Sequence, residues 1–230
     1  MAFLIDGLVG AVRLLIGLNP ELLRIVGVSL RVSITALFFA ALAGVPLGLA
    51  LAVGSFPGKR AAITVLNTLL GLPTVVVGLL GYAFLSRRGL LGDWRLLYTP
   101  YAMMIGQFVL ALPIIATLTL SAVSGVSIRA SRTALALGAS AGQKNRLLLG
   151  EARFAILAAV IAGFGRIFAE IGVSMMLGGN IQGYTRNIPT AIAYETAKGD
   201  FALGLALGLV LLAIALGVNL LLQVFQGKPE

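Results

Sequence analysis

The sequence predicts an all-α integral membrane protein, and three observations carry that reading. Only 11% of the 230 residues are charged and 59% are hydrophobic, where a soluble domain has about 25% charged residues. Mean hydropathy is +1.04. The apolar residues fall into runs of roughly 20, the length at which a helix crosses a bilayer.

Composition also excludes much. The net charge of +9 sits mostly between the apolar runs, which is how membrane helices are oriented and not how a nucleic-acid face is built. No nucleic-acid partner is expected. The absence of Cys and His removes disulfides, thiolate chemistry, zinc sites and the usual general base. With eight acidic residues, mostly in loops, an intramembrane enzyme has almost nothing to work with. Asp6 and Arg13 interrupt the first apolar run, so no cleavable signal is expected.

Taken in order, Ala2–Leu18 is broken by those two charges and ended by Asn19 and Pro20. It reads as an N-terminal helix lying in the membrane interface. Asn19 caps the next helix, with Pro20 in its first position and Glu21 in its first turn, a helix-start signal. Glu21, Arg24, Arg31 and Thr35 fall near one face, so that helix begins amphipathic. Five spans follow: Val32–Val53, Ala61–Leu85, Tyr101–Val123, Phe154–Leu177 and Phe201–Phe225. Pro73 and Pro113 lie mid-span and should kink their helices, as gating hinges or as simple packing bends. Gly204 and Gly208 form a G-x-x-x-G in the last span, which permits close helix contact. The outer loop, about 179–200, contains a short surface helix capped by Asn187, begun by Pro189 and ended by Lys198 and Gly199.

Orientation follows from charge. The stretch Val126–Arg153 has five Lys/Arg and one Glu, too polar for a bilayer, with helical periodicity on both sides of a hinge at Gly138–Gly142. Lys59 and Arg60 lie in a loop on the same side, which is therefore cytoplasmic. The N-terminus is then outside and the C-terminus cytoplasmic. Arg87, Arg88 and Arg95, offset only by Asp93, run against this rule on the outer side.

Candidate functional residues are sparse. Gly54 to Arg60 comes closest to a phosphate-binding loop, but it is one residue short and has Arg where Ser or Thr must hold magnesium. The chain itself is not expected to hydrolyse ATP. Arg166 and Glu170 lie within the fourth span at i and i+4, with Ser174 extending the stripe. Ionisable groups in a bilayer are functional candidates; these two either fix packing by mutual neutralisation or place Arg166 on an anion pathway. Asn67, Thr68 and Thr74 in the second span, and Gln107, Thr117 and Ser121 in the third, offer neutral donors to an oxyanion or hydrogen bonds between helices.

The loop from Arg132 to Glu151 resembles the cytoplasmic coupling loop of binding-protein-dependent ABC importer permeases. That family's pattern is E-A-A, three residues, Gly, nine residues, then I-x-L-P. Gly138 matches the Gly and Ala134 the second Ala; Arg132 stands for Glu, Thr133 for Ala, and Gly150–Glu151 for Leu-Pro. Arg166 and Glu170 followed by Gly178, Gly179 and Asn180 resemble the molybdate and tungstate permeases. Glu151–Phe154, Leu72–Gly78 and Ser86–Gly89 are similar to the tungstate branch. The resemblance runs from Leu22 to Phe225.

It implies a single type I importer permease domain over 1–230, working as a homodimer in the cell membrane. Two cytoplasmic ABC ATPase subunits would grip the coupling loop through Arg129, Arg132, Ala134, Gly138, Ala139, Ser140, Lys144, Arg146 and Glu151. An extracytoplasmic binding protein would deliver the oxyanion, tungstate first, with molybdate, vanadate or sulfate as alternatives. MgATP would bind the partner subunits, and no cofactor or metal this chain. A self-sufficient channel or secondary transporter is the competing class.

Overall fold

The computed structural model describes residues 2–126, 133, 134 and 136–226. Among these every regular element is a helix, and several boundaries have a local cause. α1 covers Ala2–Ile16, about 22 Å long at 1.5 Å per residue. It packs along the last helix, where Ala11 is buried beside Ala206 and Leu207. α2 runs Pro20–Val53 as one helix. Asn19 Oδ1 accepts from the Glu21 and Leu22 amides at 2.9 and 3.2 Å, as the cap signal required. At about 51 Å, α2 outruns a hydrocarbon core of about 30 Å. Pro46 lies inside α2 without ending it.

The second apolar run is not one helix. α3 spans Lys59–Leu70 and α4 spans Thr74–Leu85, with a 101° bend between them. Gly71 closes α3 and Pro73 stands at the extended N-cap of α4. The expected Pro73 kink is therefore a complete break. A residue before proline avoids helical conformation, and Leu72, set between the Gly71 stop and Pro73, therefore ends the helix. By contrast Pro113 is buried inside α5, Pro100–Gly125, which stays uninterrupted. Thr99 caps it by accepting from the Ala102 amide.

After the basic stretch come α6, Ala141–Glu151, and α7, Arg153–Phe168, bent by 66° at their junction. The fourth apolar run also breaks: α7 stops at Phe168 and α8 is a separate helix of about two turns, Gly172–Gly178. α9 covers Ile188–Lys198 and α10 covers Phe201–Gln226. Asn187 forms a capping box with Thr190, and Gly199 ends α9 at φ +91°. The expected surface helix is in fact half-buried: Ile188, Ala191 and Glu195 face inward. α2, α5 and α10 are each long and apolar enough to cross a membrane.

Packing sets the directions. A Cβ at Gly44 would meet Ile115, and one at Gly48 would meet Thr119, so α2 and α5 run parallel. The broken pair α3–α4 therefore carries the chain back to the level from which α5 starts. Gly163 meets Ile115, Gly106 meets Val173, and Gly178 meets Met103. Residue numbers rise along α7–α8 as they fall along α5, so α7 and α8 together retrace α5 in reverse. The core at these crossings is rich in small residues, including Ala36, Ala40 and Ala111 around Ile115 and Ile167, which lets backbones approach closely. A second core holds Phe164 stacked on Phe168 at 4.8 Å with Ile188, Ala191 and Leu207.

Candidate functional site

The two helix breaks coincide in space. A Cβ at Gly172 would sit 3.0 Å from Thr74 Oγ1, and further on Gly78 meets Met176 and Gly81 meets Leu177. α4 and α8 are therefore parallel half-helices that start side by side. The Leu177 carbonyl accepts from the Tyr98 amide at 2.8 Å, tying the far end of α8 to the loop before α5. In that loop Tyr98 is held by Tyr82, whose hydrogen bond, aided by slight burial, raises the Tyr98 phenol above its ordinary value.

Glu170 sits in the break between α7 and α8. Its Oε2 accepts from Arg166 Nη1 at 2.8 Å, while Oε1 accepts from the Gly172 and Val173 amides at 2.8 and 3.4 Å. Glu170 is therefore not a residue within a helical span, as its i+4 spacing suggested. It is the cap of α8 and an ion-pair partner at once. Its side chain is 5% exposed and that of Arg166 is 40% exposed. The carboxylate has its partners, whereas the guanidinium keeps an open side. An oxyanion reaching Arg166 meets a cation already half neutralised, which favours brief binding and release.

Ser174 does not extend this pair; it accepts from Asn187 Nδ2 at 3.0 Å. The other expected polar positions do not gather into one path. Thr74 is at the break. Asn67 is exposed on α3, and Thr68 donates to the Thr64 carbonyl. Gln107 is fully buried with neither amide atom partnered, and the Thr117 hydroxyl is also unpartnered, while Ser121 is exposed. Gly204 packs against Thr196 of α9, and Gly208 has open space around it.

The basic stretch between α5 and α7 forms an elbow. The Leu137 and Ala139 amides bond to the Thr133 and Ala134 carbonyls at 3.0 Å, and Gly138 adopts φ +79°. This is a glycine-ended helix terminus, with the residue after Gly138 reaching back five positions. Ser140 then caps α6 at once: its Oγ accepts from the Gln143 amide and Gln143 Oε1 from the Ser140 amide. Three residues, Gly138 to Ser140, thus stop one helical turn and start the next. Leu137 is 83% exposed at the tip, and Arg146 and Glu151 line a cavity of about 600 Å³ along α6 with Phe154. Lys144 is half-buried on α6. Arg129 and Arg132 lie outside the described residues.

Sequence reasoning missed a buried charge cluster before and within α9. Arg186 Nη1 lies 3.2 Å from Glu195 Oε1 and 3.6 Å from Glu21 Oε1, and its guanidinium covers the Tyr194 ring at 4.5 Å. Lys198 is 3.4 Å from Glu195, and Gln182 Nε2 donates to Glu21 at 2.6 Å. A signal was present: Glu195 shares the α9 face of Ile188 and Ala191, so a charge lies on an apolar stripe.

No protein-family model matches the chain. It is 42% identical to the "probable anion ABC transporter permease protein" of Haloferax volcanii over 90% of this chain and 91% of that one. It is 38% identical to the tungstate uptake system permease protein TupB of Peptoclostridium acidaminophilum, over 98% and 99% of the two chains. The TupB of Campylobacter jejuni is 43% identical over 71% of this chain and 69% of its own. Two solved structures share the fold: the inward-facing MetNI methionine ABC transporter (TM-score 0.72, 20% identity, 90% and 94% covered) and a bacterial alginate ABC transporter (TM-score 0.76, 18% identity, 95% and 85% covered). The chain is an all-helical membrane protein that belongs to the ABC transporter permease family.

Proposed function

We propose that the chain is the membrane-spanning subunit of an ATP-driven importer that takes up tungstate. The observation that carries this reading is the 38% identity to a TupB along essentially the whole of both chains. In this reading the permease works as a homodimer, crosses the membrane five times per subunit, and starts outside. Two separate ATPase subunits dock on the elbow from the cytoplasm, and an external binding protein supplies the oxyanion. Molybdate is the nearest alternative cargo, since the ModB of Escherichia coli is 29% identical over 84% of this chain.

The geometry supplies a route for force. The elbow joins α7 through α6, and α7 is a 16-residue rod ending at the Arg166–Glu170 break. Pushing Leu137 and α6 displaces one end of this rod; the other end carries the cap of α8. Because α8 packs on α4, both half-helices move together, and a polar gap opens or closes at Thr74 and Arg166. The chain binds no nucleotide in this scheme, so uphill transport requires the partner ATPase.

The test is uptake of radioactive tungstate by cells lacking this gene, complemented with the wild-type chain. Restored uptake that excess sulfate leaves intact, and that excess tungstate suppresses, supports the reading. Restored molybdate or sulfate uptake without tungstate uptake replaces the cargo.

A further inference from the structure

A cavity of about 380 Å³ lies between the start of α2 and the loop that leads into α9. Two arginines line it, Arg24 and Arg186, with the carboxylate of Glu21 and the carboxamides of Asn19 and Gln182. The two arginines differ. Arg24 is exposed and makes no ion pair among the described residues. The Arg186 side chain is 8% exposed and fixed by Glu195 and by the Tyr194 ring, yet its Nε has no partner. Glu21 is the loose member. It is 38% exposed and 3.6 Å from Arg186 Nη1, beyond good hydrogen-bonding distance. Its firm contact is with the exposed Gln182.

The charges in this corner do not cancel. Among the lining charges, Arg24 and Arg186 stand against Glu21 alone, which leaves one cation in excess. A guanidinium with unused donors, preset by packing, suits an acceptor with several oxygens in fork geometry. Glu21 already places a carboxylate there, held by the exposed Gln182 side chain at 2.6 Å and only at 3.6 Å by Arg186. The first amides of α2 are taken by Asn19, so the side chains, not the helix end, would make the site.

We propose that this cavity is a binding site for a tetrahedral oxyanion, with Glu21 as a tethered carboxylate that occupies it at rest and yields to the arriving anion. The class of ligand rests on the oxyanion-importer reading above; the location rests on the cavity itself. The site is a shallow waystation on the permease, separate from the Arg166–Glu170 break.

Two exposed substitutions test it in opposite directions, without disturbing the buried Arg186–Glu195 pair. The purified full-length permease in nanodiscs, without any binding protein, is titrated with sodium tungstate and separately with sodium sulfate by calorimetry. Glu21→Gln removes the competing carboxylate and should tighten anion binding about fivefold, while Arg24→Ala should weaken it about fivefold, the range of a partly exposed charge contact. Circular dichroism melts confirm that both variants fold. Identical binding by the wild type and both variants overturns the proposal, as does the lack of saturable binding of either anion to the wild type and Glu21→Gln. If cells import tungstate but the three proteins bind alike, the site fails and the cargo assignment stands. If tungstate uptake fails while Glu21→Gln still tightens sulfate or tungstate binding, the cargo assignment fails and the site stands.

Discussion

Removing Arg166 while keeping Glu170 should be worse than removing both charges, provided the cap of α8 is preserved. In Arg166→Ala the Glu170 carboxylate, 5% exposed, loses its counter-ion. Orphaning one member of a buried pair costs about 3–5 kcal/mol. Two backbone amides still serve Oε1, and the position of Arg166 is partly open, so about 2–3 kcal/mol is the expected loss after that discount. In Arg166→Ala with Glu170→Gln, no charge is stranded and the amide oxygen of Gln still accepts from Gly172, so the loss falls to about 1 kcal/mol. In Arg166→Ala with Glu170→Ala the cap goes too, which adds back about 0.5–2 kcal/mol. The assay is unfolding of the purified chain by dodecyl sulfate in mixed micelles, followed by circular dichroism. The predicted result is rescue by Gln and poor rescue by Ala. Equal stability of the two double variants would refute the capping role, and a Gln double variant no better than Arg166→Ala would refute the ion-pair role.

Other substitutions probe the remaining joints. Gly106→Val would drive a side chain into Val173 and Leu177, and overpacking of this kind costs about 1–3 kcal/mol; the same unfolding assay should register it, with lowered uptake. Asn187→Ala removes the cap of α9 and the bond to Ser174, and should cost about 1–3 kcal/mol while leaving Ser174 unpartnered. Gly138→Ala meets no atom but is strained at φ +79° by about 1–2 kcal/mol. The elbow should refold locally, so global stability should hold while ATPase co-purification falls; full co-purification with coupled uptake would count against docking at Gly138.

The legible parts of this fold were those set by local chemistry. Asn19 with Pro20, and Asn187 with Pro189 and Gly199, announced helix ends that the structure reproduces. Apolar runs announced helices for the membrane. The first break was hidden by those same runs: Gly71 to Pro73 is apolar enough to pass within a hydrophobic stretch, though the backbone turns there by 101°. Glu170 was hidden by its spacing, since i+4 describes a helical pair and a residue just past a helix end equally well. The Arg186–Glu21 contact joins residues 165 positions apart by number, and only folding brings them together. Gln107 remains without a physical account: it is fully buried and both its amide atoms lack partners.

The central claim is that the chain is a conduit moved by a separate ATPase. Proteoliposomes containing the permease alone, the permease with its ATPase, and both with the external binding protein can be loaded with MgATP and given radioactive tungstate outside. The account predicts accumulation above the external concentration in the complete system and none with the permease alone. Concentrative uptake by the permease alone, without ATPase, would contradict it.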